Sequence, residues 1–169
     1  GQLEIVQYLL TSAELKEHAN IHAYNDYGFG LACVNGQLEV VKYLLTSPDL
    51  KEHAAIHADN DEGFRLACSY GHLEIVKYLL TSAELKEHAD IHADNDEGFR
   101  WACSDGQLEL VKYLILDMSI EKTKYIEDYL NKNQDNKCVK EAIELFKIRE
   151  FNQKLNANLE HKEKKNKLK

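Results

Sequence analysis

A 35-residue unit repeats along this chain. It begins at Gly1 as "GQLEIVQYLLTSAELKEHANIHAYNDYGFGLACVN", returns from Gly36 as "GQLEVVKYLLTSPDLKEHAAIHADNDEGFRLACSY", and again from Gly71 as "GHLEIVKYLLTSAELKEHADIHADNDEGFRWACSD". A fourth opening, "GQLELVKYLI", starts at Gly106 and then diverges, and the units from Gly36 and Gly71 differ at only 7 of their 35 positions. A period of roughly 20 to 50 residues marks a solenoid or similar array, in which no unit buries its apolar face alone and each packs on its neighbours.

Two helices are legible inside each unit. In "HLEIVKYLL", Leu73, Val76, Leu79 and Leu80 fall on one helical stripe, with Glu74 and Lys77 off it. Upstream, "NDEGFRLACSYG" places Phe64, Ala67 and Cys68 at i, i+3 and i+4, which predicts a shorter helix capped by Asn60 or Asp61 and ended near Gly71. After the longer helix, "TSPDLKEH" offers Ser47 as N-cap, Pro48 at the first helical position and Asp49 at the positive helix end, so a third helix of one or two turns is expected there. The "AAIHADND" that follows reads as an irregular connector.

These units resemble the ankyrin repeat. Its pattern of a short helix ending in Ala-Ala, two variable residues, Gly-His and a helix of the form x-x-[IV]-V-x-x-L-L is close to "ACSYGHLEIVKYLL", with Cys68 for the second Ala. "ADIHADNDEGF" is similar to the family's connector, and the likeness spans about Gly1 to Leu116. Two departures alter it. The Thr-Pro-Leu-His signature is absent, because "GFRLAC" reaches the Ala-Cys pair three residues sooner, and five residues are added after the longer helix. The resemblance implies an all-α, ankyrin-like helical solenoid with modified connectors, and the shortened segment leaves the family's β-hairpin finger in question.

The expected organisation is a repeat array over residues 1–116, with units starting near 1, 36, 71 and 106, then capping helices over 117–159 and a basic tail over 160–169. "SIEKTKYIEDYLNKN" offers Ser119 as a cap with Ile120, Ile126, Tyr129 and Leu130 as apolar positions; "DNKCVKEAIELFKIREFNQKL" offers Asp135 as a cap and Val139, Ile143, Phe146 and Phe151 as a stripe. The tail "EHKEKKNKLK" reads as a frayed, solvated helix end. The first residue, Gly1, already lies inside a unit, so the sequence is expected to be a fragment of a longer one.

Charge and composition narrow the function. The 169 residues hold 21 Lys plus Arg against 29 Asp plus Glu, a net −8, which disfavours nucleic acid and anionic membranes as partners. No stretch approaches the ~18 to 20 apolar residues of a membrane span. Cysteines stand at 33, 68, 103 and 138. Ankyrin-type units stack roughly 10 Å apart, farther than the ~7 Å between Cα atoms that a disulfide allows, so free core thiols and a reducing, intracellular compartment are expected. A secreted effector acting inside a host cell is compatible with the same usage.

Histidines recur in "HANIH", "HAAIH" and "HADIH", at His18 and His22, His53 and His57, and His88 and His92. An i, i+4 pair on a continuous helix could share a metal, but these straddle a helix end and a connector, and connector scaffolding is the simpler reading. No phosphate loop, nucleophile elbow or kinase signature is present, so no catalytic residue, cofactor or metal ligand is assigned, and the chain is read as no enzyme.

Near-identical units act as an internal control, because scaffold positions stay fixed while others vary. The differences gather in the connector and short helix: Tyr24 against Asp59 and Asp94, Tyr27 against Glu62 and Glu97, Gly30 against Arg65 and Arg100, Leu31 and Leu66 against Trp101. Val34-Asn35, Ser69-Tyr70 and Ser104-Asp105 match the two residues before the family's Gly-His, which the resemblance puts on the concave groove. The candidate partner-binding set is therefore Tyr24, Tyr27, Asn35, Glu62, Arg65, Ser69, Tyr70, Glu97, Arg100, Trp101, Ser104 and Asp105, rich in the residue types of binding hot spots. A monomeric module or scaffold that binds a protein on its concave face is the leading reading; an architectural spacer is the alternative, and a metal or enzymatic role through the His pairs a third.

Overall fold

The computed structural model describes residues 2–167, with side chains as far as Glu160. Among these residues there is helix and no strand: α1 (Gln2–Thr11), α2 (Tyr27–Val34), α3 (Leu38–Thr46), α4 (Ala58–Ser69), α5 (Leu73–Thr81), α6 (Ala93–Ser104), α7 (Leu108–Lys112) continued by a π-helical turn (Tyr113–Asp117), α8 (Lys124–Lys132) and α9 (Lys137–Lys167). Helices α2, α4 and α6 stack on one another, and each is followed along the chain by its partner, α3, α5 or α7. Between the two helices of a unit, Gly36, Gly71 and Gly106 adopt φ of 68°, 75° and 76°, a conformation that only glycine takes up without steric cost. The all-α repeat solenoid expected from the sequence is what folds.

The stripes named in the sequence form the core. Phe64, Ala67 and Cys68 of α4 and Val76 and Leu79 of α5 are almost wholly excluded from water, as are their counterparts one unit later. The second helices bury more than one stripe, since Ile75 and Tyr78 are also buried beneath neighbouring elements. Such interior helices are apolar on several faces because each touches both adjacent units.

The third helix of the unit does not form. Ser47 leaves α3 in an extended conformation (φ −64°, ψ 127°), and "PDLKEH" closes as turns instead. The Ser47 carbonyl accepts from Leu50 N at 3.2 Å, and the Ala54 N–H returns to the Leu44 carbonyl at 2.9 Å, pulling the chain back over the end of α3 within ten residues. A helical nucleus is costly and this segment has too few residues to repay it.

The connector is a left-handed turn, not a finger of two strands. Tyr24-Asn25-Asp26, Asp59-Asn60-Asp61 and Asp94-Asn95-Asp96 all have φ between 47° and 64°. Asn and Asp tolerate this region better than other L-residues. Asn60 and Asp61 are thus not side-chain caps of α4. The Asp61 carboxylate instead accepts from the Asp90 backbone N–H of the next unit at 3.1 Å, as Asp26 does from Ala55 N at 3.2 Å.

The terminal pair α8–α9 continues the stack on α6 and α7. Ile126, Leu130, Val139 and Phe146 are buried there, and the Phe146 ring lies 6.0 Å from that of Phe99. Its caps differ from those expected. Thr123, not Ser119, begins α8, accepting from Ile126 N at 3.2 Å and bonding the Asp96 carboxylate. Asn136, not Asp135, caps α9 by accepting from Val139 N at 3.2 Å. Phe151 leaves the predicted stripe and is 66% exposed, because α9 runs on past the body it packs against. The basic segment 160–169 lies, beyond Glu160, outside the described side chains.

Candidate partner-binding surface

Because α2, α4 and α6 stack in register, equivalent residues form rows across the units. One row is Leu31, Leu66 and Trp101; a second is Tyr27, Glu62 and Glu97; a third is Asn35, Tyr70 and Asp105. Leu31, Tyr27 and Tyr70 are exposed, whereas Leu66, Trp101, Glu62 and Glu97 are half-buried. Tyr24 tops the first left-handed turn and is 91% exposed. Asn35, Ser104 and Asp105 face water, and Ser69 donates to the Asp105 carboxylate at 2.6 Å across the unit boundary. Tyr70 stacks on His72 with ring centroids 6.4 Å apart, and His72 in turn bonds the Val34 carbonyl at 2.7 Å.

The two arginines differ. Arg65 is buried: its Nε donates to the Asn60 carbonyl at 2.9 Å, its Nη2 to the Asp59 carbonyl at 2.7 Å, and its Nη1 pairs with the Glu97 carboxylate. It closes the left-handed turn behind it and ties it to the next unit. The same guanidinium stands 5.6 Å over the Trp101 ring. Arg100 closes the following turn through the Asn95 and Asp94 carbonyls at 3.1 and 3.3 Å and stays partly in water. Arg65 therefore supports Trp101 from within the stack, and Arg100 is the more accessible cation.

The histidine pairs split between two tasks. His18, His53 and His88 bond the Ser12, Ser47 and Ser82 carbonyls, at 3.0, 2.9 and 3.0 Å, and hold the turn after each long helix. His22, His57 and His92 bond the buried Asp26, Asp61 and Asp96 through Nδ1. His57 Nε2 also faces Glu87 of the next unit at 3.5 Å. Among the described residues no group of three or more His, Cys, Asp or Glu is placed to hold a metal ion. The buried Asp ladder escaped sequence reading, since a repeated carboxylate looks like a cap or a solubility device. Leu31 and Leu66 were visible as varying positions but did not enter the candidate set.

Helix pairs stacked in register and joined by left-handed turns make this chain a helical-repeat solenoid. The family of Ankyrin repeats matches over residues 1–95 and 29–126, so this chain belongs to the ankyrin repeat family. Comparison with curated proteins and with solved structures gives no match. Ankyrin repeats are generally protein–protein interaction modules and typically not enzymes. Among the described residues no helix is long and apolar enough to cross a membrane.

Proposed function

We propose that the chain binds a protein partner through the face made by α2, α4 and α6 together with the tips of the left-handed turns. The observation that carries this reading is the row Leu31, Leu66 and Trp101, flanked by Tyr24, Tyr27 and Tyr70. Apolar and aromatic side chains stand in or near water at the positions where near-identical units differ. A surface that only had to stay in solution would favour charge there. Glu62, Glu97, Arg100, Asn35, Ser69, Ser104 and Asp105 supply the polar rim. The net charge of −8 favours a protein over nucleic acid or an anionic bilayer. Four buried free thiols support a reducing compartment as the place of action.

The test replaces Trp101 by the residue its sister units carry. Trp101→Leu keeps the local packing, so its melting should match wild type. Proteins captured by the chain should be lost or weakened at least ~10-fold with Trp101→Leu and with Tyr70→Ala, as for truncated hot spots. Capture that is indifferent to both substitutions sinks the inner-face reading and leaves the architectural spacer.

A further inference from the structure

The arginines of two successive units share one bonding pattern. Arg65 donates through Nε to the Asn60 carbonyl at 2.9 Å and through Nη2 to the Asp59 carbonyl at 2.7 Å, and its Nη1 pairs with Glu97 of the following unit. Arg100 repeats the first two bonds, to the Asn95 and Asp94 carbonyls at 3.1 and 3.3 Å. Each left-handed turn thus presents two adjacent carbonyls that the planar fork of a guanidinium takes together.

The unit before them builds the same acceptor set without the arginine. Tyr24 and Asn25 have φ of 53° and 55°, the values of Asp59 and Asn60, so the turn offers its carbonyls in the same way. Among the described residues no donor reaches either carbonyl. The carboxylate is in place as well. Glu62 Oε2 lies 3.7 Å from the Cβ position of Gly30, the counterpart of Arg65. Gly30 sends no side chain into the space, and no Lys or Arg stands between Lys16 and Lys42. Every group that bonds Arg65 belongs to its own unit or the following one, so the empty place is complete within residues 24–66. Its approach is open. Trp101 covers the Arg65 guanidinium at 5.6 Å, whereas the smaller Leu66 takes that position here, and Tyr24, Asn25 and Leu31 around it are exposed.

We propose that this place is an arginine subsite: a partner segment on the inner face sets one guanidinium between the Tyr24 and Asn25 carbonyls and the Glu62 carboxylate, as Arg65 is set one unit on. A guanidinium suits it better than an ammonium, because one rigid fork bonds both carbonyls and still pairs with the carboxylate. That the arginine arrives on a protein rests on the inner-face reading; the acceptor set does not.

Amide chemical shifts of the isotope-labelled chain, titrated with N-acetyl-arginine amide at low salt, test the subsite without a partner. The Tyr24, Asn25, Gly30 and Glu62 signals should move together and saturate with a millimolar dissociation constant. N-acetyl-lysine amide should bind at least ~3-fold more weakly, and the uncharged citrulline analogue should not bind. Glu62→Gln should weaken arginine binding about tenfold. Gly30→Arg, which lodges an arginine from within, should abolish it, while Gly30→Ala and Trp101→Leu leave it unchanged. The absence of saturable shifts at these amides overturns the proposal. Lysine that binds as tightly as arginine does so too, as does arginine that still binds the Gly30→Arg protein. Capture of a protein partner should likewise fall at least ~10-fold with Gly30→Arg. Capture lost with Trp101→Leu but indifferent to Gly30→Arg overturns the subsite and leaves the inner-face reading standing. Capture indifferent to Trp101→Leu and Tyr70→Ala but lost with Gly30→Arg supports the subsite and sinks only that reading.

Discussion

Arg65 is ion-paired with Glu97 of the following unit, and its side chain is nine-tenths buried there. One unit earlier the partners are mismatched. Gly30 holds the arginine position, and Glu62, in the place of Glu97, has no ion-pair partner among the described residues. A Cβ at Gly30 would meet only Glu62 Oε2 at 3.7 Å and Leu66 Cδ1 at 3.9 Å, both ordinary contacts. Gly30→Arg should therefore install the missing staple. Leaving glycine in a helix interior costs about 1 kcal/mol, and a charge-assisted pair adds up to about 1 more. Urea unfolding should show a gain of about 1–2 kcal/mol over wild type. A gain no larger than that of Gly30→Ala would mean that the ion pair contributes nothing.

The second prediction concerns the carboxylate ladder. Asp61 is 5% exposed, accepts from Asp90 N at 3.1 Å and from His57 at 2.9 Å, and sits in the left-handed region. Asp61→Ala orphans a backbone N–H at the unit boundary and removes the short polar side chain that lets this position tolerate the left-handed region, so it should cost about 2–4 kcal/mol. Asp61→Asn retains an acceptor and a tolerated conformation and should cost less than half as much. Equal losses for the two would show that the carboxylate charge, not the hydrogen bond, joins the units.

The helix pairs were legible because they rest on a pattern that repeats: Phe64, Ala67 and Cys68, then Val76 and Leu79, can share a stripe only in a helix. What was not legible depends on competition between local and distant partners. Ser47-Pro48-Asp49 reads as a helix start by every local rule, yet the chain is pulled back by the Ala54–Leu44 hydrogen bond, ten residues apart. Asp61 reads as a cap, but its carboxylate accepts from an N–H 29 residues away. Arg65 belonged to the candidate surface by residue type, and only its bonds to Asp59, Asn60 and Glu97 reveal that it is spent inside the stack. Cys138 follows Cys103 by one repeat length but lies in the second helix of its pair, so the spacing carries no structural equivalence.

Thiol chemistry follows from burial. All four cysteines are free and buried, and burial pushes the Cys33 and Cys68 thiols well above their ordinary range. Cys103 donates a hydrogen bond to Cys138 and is also desolvated, which raises it and lowers Cys138. A disulfide-exchange reagent at neutral pH should thus find no fast thiol in the native protein and all four after unfolding, with Cys138 the first to react as the native state opens. A mass deficit of two hydrogens on the intact, non-reduced chain would contradict free thiols.

The last prediction separates the two parts of α9. Up to Glu150 it is held to the repeats: Phe146 is buried against Phe99, and Arg149 donates through Nη1 to the Ile115 and Ile120 carbonyls at 2.9 and 2.8 Å. From Phe151 to Glu160 every described side chain is exposed. A chain ended after Glu150 should therefore melt as the full chain does. Ending it after Asp117 strips away Ile120, Ile126, Leu130, Val139 and Phe146, whose burial is together worth on the order of 10 kcal/mol. That is comparable with the whole stability of an ordinary domain, about 5–15 kcal/mol. It would also bare Phe99, Leu110 and Leu114 to water. The shorter chain should aggregate or bind a hydrophobic dye on light scattering and fluorescence. A monomeric, cooperatively melting product ended after Asp117 would show that α8 and α9 ride on a stack already closed without them.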